Sequence, residues 1–209
     1  MTEKAKPILF SGPMVQAILA GRKTMTRRVL KPAKGATIAD CKPTGVKVGI
    51  AEIHALPLEK LSLPKYKVGD LLWVREAWRT ESNDCDIWAP SKLGGGETIL
   101  FEADANWKDN KSVGRLRASM HMPRWASRIT LEVTAVKVER LKDISEDDAR
   151  AEGCEPAAAH LPDVRGEGYP LHRVELWKEG FSELWESING PGSWGANPWV
   201  AAYSFKVLE

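Results

Sequence analysis

The sequence predicts a mixed α+β domain of the small-barrel type, with a few helices and long loops. Apolar residues with a period of two indicate several short strands, and two stretches with helical spacing indicate helices. The 17 glycines and 13 prolines mark long loops between these elements. With 209 residues, the chain has the length of one large domain or of a smaller domain with a long insertion.

The first thirty residues predict a strand, a helix and a second strand. The apolar run at residues 7–10 predicts the first strand, and the helical spacing of residues 14–19 predicts the helix. Ser11 is a good N-cap for this helix, and Gly21 lies just past its end, where a left-handed residue is expected. Residues 24–30 are rich in threonine and valine and favour an extended conformation.

The middle of the chain predicts short strands separated by long loops. Residues 31–67 form an unusually long connection, which we interpret as a mobile or functional insertion with a strand or hairpin arm at 46–53. After it we expect the following elements in order: a turn at 67–70, a strand at 71–78, a loop at 82–97, a strand at 98–103 and a loop at 104–123.

The strongest strand pattern covers residues 127–141, where the apolar alternation shifts by one position and predicts a β-bulge near Ala135-Val136. Ser145 then predicts the N-cap of a short helix, with Asp148 completing a weak capping box and Gly153 ending the helix. The remaining elements are expected to be a loop at 154–170, an amphipathic helix at 173–188 and a final strand at 199–207.

Composition excludes several classes of protein. The formal net charge of +2 is too small to indicate nucleic-acid binding without local clustering. Cys41, Cys85 and Cys154 lack zinc-ligand or disulfide spacing, and His54, His160 and His172 also lack ligand spacing. We therefore expect no metal site, no cofactor and free thiols. Without an apolar run of membrane-spanning length or a signal segment, we expect a cytoplasmic protein.

Lys23 and Thr26 are the residues best placed for chemistry, because they follow a helix end at close spacing. An ammonium beside a hydroxyl can stabilise a developing alkoxide or, when desolvated, accept the hydroxyl proton. Thr26 is then a candidate nucleophile, and an acidic residue is needed to carry a proton to the leaving group. The alternative is a surface strand with solvated basic side chains.

Residues 20–28 look like the GxKxxTxR signature of the ASCH family, with matches at Gly21, Lys23, Thr26 and Arg28. Residues 68–74 resemble the later G-D-x-L-x-V strand of that family. The resemblance implies an α+β fold with a PUA-like small β-barrel and flanking helices, as a single domain over residues 1–209.

One branch of that family, the bacterial acetylcytidine amidohydrolases, removes an acetyl group from the exocyclic nitrogen of cytosine. The resemblance implies the catalytic set Lys23, Thr26 and Glu152, with Thr26 attacking, Lys23 activating it and Glu152 exchanging protons with the leaving amine. That branch is much shorter and lacks insertions at about 31–67, 79–126 and 154–171. The chain looks closer overall to longer ASCH proteins encoded in phage and prophage genomes.

Two acidic residues compete for the third catalytic role. Glu152 precedes a helix-ending glycine, which is a common exposed site, yet a glutamate there is disfavoured by the helix dipole and so needs another reason. On the strand at 71–78, Arg75 and Glu76 point to opposite faces. Glu76 is therefore a second candidate, either paired with Lys23 or replacing Glu152 as the acid.

A second basic cluster suits RNA or nucleoside binding. Arg124 and Arg128 flank Trp125, an arrangement that fits phosphate contact with base stacking, although Trp125 packing in the core is the alternative. The predicted substrate-binding or RNA-binding residues are therefore Arg22, Arg27, Arg28, Arg75, Glu76, Arg124, Trp125 and Arg128.

Three functions fit the sequence. The first is a hydrolase that acts on a modified nucleoside, and the second is an RNA-binding module without catalysis or with weak ribonuclease activity. The third is a phage accessory protein that binds a host protein through its long insertions. The expected partners are thus RNA, a modified nucleoside or a host protein, with no membrane and no metal.

Overall fold

The computed structural model describes residues 5–32, 44–48, 51–55, 62–104, 111–161 and 172–208. In chain order, its strands and α-helices are β1 (Lys6–Leu9), α1 (Gly12–Leu19), β2 (Met25–Val29), β3 (Thr44–Val48), β4 (Ala51–Ala55), β5 (Leu71–Arg75), β6 (Trp78–Thr80), β7 (Ile99–Phe101), β8 (Thr130–Arg140), α2 (Glu146–Ala151), β9 (Ala157–Leu161), β10 (His172–Leu176), α3 (Trp177–Asn189) and β11 (Trp199–Leu208). The fold is mixed α+β.

Five strands form the central sheet in the order β1-β5-β8-β11-β2. Only the β1–β5 pair is parallel, and the other neighbours in this sheet are antiparallel. Ser204 of β11 lies opposite Ala135, whereas Phe205 lies opposite Val133, so Thr134 is the extra residue. The predicted bulge is therefore present, one residue before the expected position, and it increases the local twist of the longest strand pair.

The two edge strands of this sheet are linked by side chains. In the described part of the chain, no backbone ladder joins β1 to β2. Instead, Arg28 of β2 donates from Nη2 to the carbonyl of Leu9 in β1 at 2.7 Å. The hydroxyl of Tyr66 donates to the carbonyl of Pro7 at 2.7 Å, and Lys65 N–H donates to the hydroxyl of Tyr203 at 2.9 Å. These contacts hold the ends of the sheet around one core.

The main core lies between α1 and the central sheet. Val15 and Ile18 of α1 are fully buried against strand residues that include Ile8, Leu131 and Tyr203. A second cluster packs α2 and α3 against the end of the sheet through Leu141, Ile144, Phe181, Trp185 and Val200. Each such side chain contributes about 1.5–3 kcal/mol when it is fully buried.

The three regions predicted as insertions each contain strands of a two-stranded hairpin. These hairpins pair β3 with β4, β6 with β7, and β9 with β10. The β6–β7 hairpin has its own small core of Trp78, Leu93, Met122 and Ala126. Cys41 lies outside the described residues, while Cys85 and Cys154 are free thiols.

Three element predictions are wrong in part. The strand predicted at 71–78 stops at Arg75, because the Arg75 carbonyl bonds to Phe10 N–H in the sheet whereas the Ala77 carbonyl bonds to Glu102 N–H in the hairpin. Residues 154–170, predicted as a loop, contain β9. The helix predicted to begin at Arg173 begins at Trp177, since residues 172–176 pair with β9 and this pairing overrides helical spacing.

The predicted helix-capping positions are confirmed, although the Asp148 side chain binds Arg27 instead of completing the capping box. The side chain of Ser145 accepts from the N–H of Asp148 at 3.1 Å. Gly21 and Gly153 have φ values of 70° and 75°, which place each in the left-handed region just past a helix end. Ser11 occupies the N-cap position of α1 without a side-chain cap hydrogen bond. None of the helices in the described ranges has the length and apolar character needed to cross a bilayer.

Replacing Leu72 with alanine should lower the free energy of unfolding by about 2–5 kcal/mol, because Leu72 is fully buried in the main core. Urea unfolding measures this change. The matched control is Leu19→Ala, since Leu19 is 52% exposed and its loss should change stability by no more than about 0.5 kcal/mol. Equal effects of the two substitutions would contradict the proposed core.

Stability should also depend on the ionisation of Asp70, which binds the Lys6 ammonium at 2.6 Å and the Lys67 N–H at 2.8 Å. Burial acts to raise the pKa of Asp70, but these hydrogen bonds outweigh burial and leave the pKa below its ordinary value. A lowered native pKa means that the stabilisation is present above the unfolded pKa, about 3.9, and is lost as pH falls through the native pKa.

We therefore expect Asp70→Asn to lower the free energy of unfolding by about 1–3 kcal/mol at pH 7, with the difference from wild type shrinking below pH of about 4. Urea unfolding between pH 3 and pH 7 checks this. Asp143→Asn, at an exposed position, is the control. A difference that grows at low pH would have the wrong sign.

Candidate active site

Lys23 lies at the centre of the site because the chain turns inward at the end of α1. The N–H groups of Arg22 and Lys23 both bond to the carbonyl of Ala17, at 2.9 and 3.0 Å. The Lys23 side chain then enters the interior and is only 1% exposed. Its Nζ donates to the carbonyl of Met25, the carbonyl of Glu152 and Oε2 of Glu152, each at 2.8 Å. All three donors of the ammonium are therefore used.

Glu152 reaches Lys23 because the chain approaches closely at the end of α2. The next residue, Gly153, has a positive φ, and a Cβ built on it would lie 2.7 Å from Cβ of Lys23. No residue with a side chain fits this position without displacing Lys23. Glu152 is 4% exposed, and the cations beside it compensate for its unfavourable place at a helix C-terminus.

Arg27 is the second buried cation at this carboxylate. Its Nη1 donates to Oε1 of Glu152 at 3.1 Å, and its Nη2 donates to Oδ2 of Asp148 at 2.7 Å. Nε and Nη2 also bond to Oε1 of Glu139, at 3.1 and 2.7 Å. Lys137 pairs with the other oxygen of Glu139. The cluster therefore contains three cations and three carboxylates: Lys23, Arg27, Lys137, Glu139, Asp148 and Glu152.

Burial dominates the acid–base properties of this cluster. It lowers the pKa of Lys23, and the attraction of Glu152 opposes this only in part. Burial acts to raise the pKa of Glu139, but hydrogen bonds from Lys137 and Arg27 leave that pKa lowered. A lysine in this environment releases its proton more readily than an exposed lysine, and the acceptor closest at hand is Glu152.

Thr26 lines a pocket next to this ion pair. It lies on β2 opposite Tyr203, is 2% exposed, and its hydroxyl makes no hydrogen bond to a described residue. The pocket has a volume of about 230 Å³ and is also lined by Arg28 and Glu152. Its apolar wall comes from α1 and α3 through Met14, Phe181, Leu184, Trp185 and Ile188.

A larger cleft continues from this pocket between α1 and α3. The cleft has a volume of about 720 Å³ and shares Met14, Glu152, Leu184 and Ile188 with the pocket. Arg22 and Glu155 line its far side, where they form an exposed ion pair at 2.8 Å. Glu152 therefore lines both the smaller pocket and the larger cleft.

The suggested pairing of Glu76 with Lys23 is wrong. Both carboxylate oxygens of Glu76 bond to Arg128, at 2.9 and 3.0 Å, and Arg128 also holds Asp104 at 2.7 and 2.8 Å. The Arg128 guanidinium lies 3.9 Å from the ring centroid of Phe101. Burial raises the pKa of Glu76 despite Arg128. This group joins the end of β5 to the β6–β7 hairpin.

Three further predicted binding residues do not line the pocket that contains Thr26. Arg75 donates to the carbonyl of Met122 and lies 5.0 Å from the ring of Trp73, and Arg124 lies 5.9 Å from the same ring. Trp125 is 40% exposed, so it does not pack fully in the core. None of Arg75, Arg124 and Trp125 lines that pocket.

Sequence reasoning missed Glu139 and Asp148. Asp148 was recognised only for its backbone role in the capping box, although its side chain binds Arg27. Glu139 lies in a strand whose pattern gives no sign of an ion pair. Since Arg27 is 112 residues from Glu139 in the chain, no local pattern connects the two.

Comparisons with known proteins identify no family. No family model matches the sequence, and no curated protein matches it. Among solved structures, the chain matches the crystal structure of protein EF3133 from Enterococcus faecalis, of the family model DUF984. The match has 13% identity and a TM-score of 0.39, and it covers 99% of this chain and 82% of that chain. Within the described ranges, no group of three or more histidine, cysteine, aspartate or glutamate side chains could hold a metal ion.

Arg27→Met should lower the free energy of unfolding by about 3–5 kcal/mol, because it leaves buried carboxylates without their shared cation. Chemical denaturation measures the loss, and Arg27→Lys should restore part of it. Arg22→Met is the matched control, since its ion pair is exposed and should contribute less than about 1 kcal/mol. Similar effects at both arginines would show that the cluster does not stabilise the fold as described.

Proposed function

We propose that this chain is an ASCH-type protein with a PUA-like barrel, and that it hydrolyses an acyl amide on the exocyclic amine of a modified cytidine. One observation carries the proposal. A buried Lys23–Glu152 ion pair of 2.8 Å lies at the edge of a pocket that is also lined by Thr26. In this proposal Thr26 is the nucleophile, Lys23 accepts its proton and Glu152 donates a proton to the leaving amine.

The size and lining of the pocket support a single base as the bound group. Its volume of about 230 Å³ is below the roughly 300–1,000 Å³ of sites for drug-sized ligands. Phe181 and Trp185 provide aromatic surface, and Asn189 at the rim provides an amide. Flat apolar walls with a few polar groups suit a pyrimidine ring.

The reaction begins with a proton shift inside the ion pair. Lys23 transfers a proton to Oε2 of Glu152, which gives a neutral amine and a neutral acid, and burial of Lys23 favours this shift. Arg27 holds Oε1 of Glu152, so Oε2 is the oxygen that carries the proton. The amine keeps two carbonyl acceptors and is then able to accept the Thr26 proton.

Acyl transfer then follows with balanced protons. Oγ of Thr26 attacks the acyl carbon while its proton passes to Nζ of Lys23, forming a tetrahedral intermediate. The bond from carbon to the exocyclic nitrogen breaks, and Glu152 donates its proton to that nitrogen. Lys23 is again an ammonium and Glu152 again a carboxylate. Water next attacks the acyl ester, its proton returns to Oγ of Thr26, and the carboxylic acid leaves.

The direct test is hydrolysis of N4-acetylcytidine, followed by the change in ultraviolet absorbance as cytidine forms. Thr26→Ala should lower kcat by a factor of about 10³ or more, because it removes the nucleophile, while Thr26→Ser should retain measurable activity. Glu152→Gln should lower kcat by about 10²–10⁴, because the amide cannot deliver a proton.

Two exposed residues give matched controls. Thr24→Ala and Glu155→Gln change the same residue types close by in the chain and should leave kcat within about twofold. Circular dichroism and thermal unfolding of each variant separate loss of chemistry from loss of fold. Wild-type protein with no activity on any acylated cytidine, or Thr26→Ala with full activity, would refute the proposal.

A further inference from the structure

We propose that a second pocket, at the junction of the two edge strands β1 and β2, binds the phosphoryl group of a nucleotide. This pocket has a volume of about 340 Å³ and is lined by residues of both strands and by the segment before β5. The identification of the bound group as the phosphate of a substrate nucleotide rests on the proposed function. Anion binding by this pocket does not depend on that function.

The described residues that line this pocket carry positive charge and no negative charge. Arg28, Lys31 and Lys65 line the pocket together with the Ser62 hydroxyl, and no carboxylate is among the described residues that line it. Three positive side chains from two segments, the end of β2 and the chain before β5, meet at one concave surface. An arginine with two lysines and a hydroxyl is a donor set that suits phosphoryl oxygens.

The partners of these cations differ from those of the neighbouring cations Lys23 and Arg27. Lys23 and Arg27, on the neighbouring part of the chain, have carboxylate partners at 2.7–3.1 Å. Arg28, Lys31 and Lys65 form no ion pair with any residue in the described ranges. Arg28 uses Nη2 for the carbonyl of Leu9 and lies 5.4 Å from the ring of Phe10. Burial lowers the pKa of Arg28, and the attraction of Tyr66 and Glu152 opposes this only in part, although a guanidinium stays protonated.

Tyr66 and Tyr203 fix the shape of this pocket. The Tyr66 hydroxyl donates to Pro7 and the Tyr203 hydroxyl accepts from Lys65 N–H, so both are fixed by main-chain groups. The two rings pack edge to face with their centroids 5.2 Å apart. Because the segment that carries Lys65 is anchored on β1 and β11, its ammonium is kept beside the pocket.

The position of this pocket relative to Thr26 indicates which phosphoryl group of a nucleotide is bound. Arg28 and Val29 line both this pocket and the pocket of Thr26. Thr26 and Arg28 are two residues apart on β2, so their side chains share a face about 7 Å apart along the strand. That spacing is on the scale of the ribose between a base and its 5′-phosphate. The inferred substrate is therefore a nucleotide or an RNA residue, which should bind more tightly than the free nucleoside.

Binding of unacylated ligands by wild-type protein tests this inference without requiring hydrolysis. Isothermal titration calorimetry at low salt would compare cytidine, cytidine 5′-monophosphate, inorganic phosphate and a short cytidine oligonucleotide without terminal phosphate. We expect the monophosphate to bind about tenfold or more tightly than cytidine, and inorganic phosphate to compete with it. A preference for the oligonucleotide over the monophosphate would identify the phosphodiester as the source of the bound group.

Substitutions of the cations in the pocket identify the residues that cause the preference for the monophosphate over cytidine. Arg28→Met and Lys65→Met should each reduce the preference for the monophosphate over cytidine by about fivefold or more, and Lys31→Met provides an independent third variant. Lys67→Met is the matched control, because Lys67 is exposed and does not line the pocket. Equal binding of cytidine and its monophosphate, or a preference unchanged in Arg28→Met and Lys65→Met, overturns the inference.

The two proposals fail separately. Phosphate binding that is lost in Arg28→Met, together with no hydrolysis of acetylcytidine, retains the anion site and rejects the proposed reaction. Hydrolysis of acetylcytidine without a preference for phosphorylated ligands rejects the anion site and retains the reaction. Failure of inorganic phosphate to bind or to compete counts against the anion site in either case.

Discussion

The rest of the structure depends on one buried carboxylate that is held by two buried cations. Glu152 ends α2, and Lys23 and Arg27 reach it from the chain before and within β2. A charge buried without a partner costs several kcal/mol, so these ions are tolerated only in their mutual contact. Glu139, Asp148 and Lys137 complete a cluster of three cations and three carboxylates. The helix, β2 and β8 must therefore assemble together or leave charges uncompensated.

The need to bury Arg27 in the ion cluster fixes the orientation of β2. This five-residue edge strand thereby contributes side chains to the ion cluster and to two pockets. Side chains alternate along β2, so Arg27 is directed to the ion cluster while Thr26 and Arg28 share the other face. Thr26 faces the pocket beside Glu152, and Arg28 lies between that pocket and the one between the two edge strands. In the described part of the chain, β2 has a sheet neighbour on one side only, so both pockets lie at an edge of the sheet.

The β6–β7 hairpin is attached to the central sheet by polar contacts. The β6–β7 hairpin has a core of its own, and Arg128 connects it to the end of β5 through Glu76 and Asp104. Arg128 therefore contributes to the fold by joining two parts of the chain. The same guanidinium is occupied by carboxylates on two sides, which leaves it less able to contact phosphate than Arg28.

The sequence by itself predicted most of the local elements and named the candidate site residues. Capping at Ser145, the left-handed Gly21 and the alternation of β8 and β11 depend only on neighbouring residues, and they were predicted correctly. Lys23 and Thr26 were found from their spacing, and Glu152 from a family resemblance. Only the tertiary structure decided which acid meets Lys23. Glu152 is 129 residues from Lys23, and Glu76 binds Arg128 instead. Packing between distant segments therefore determines which carboxylate pairs with Lys23.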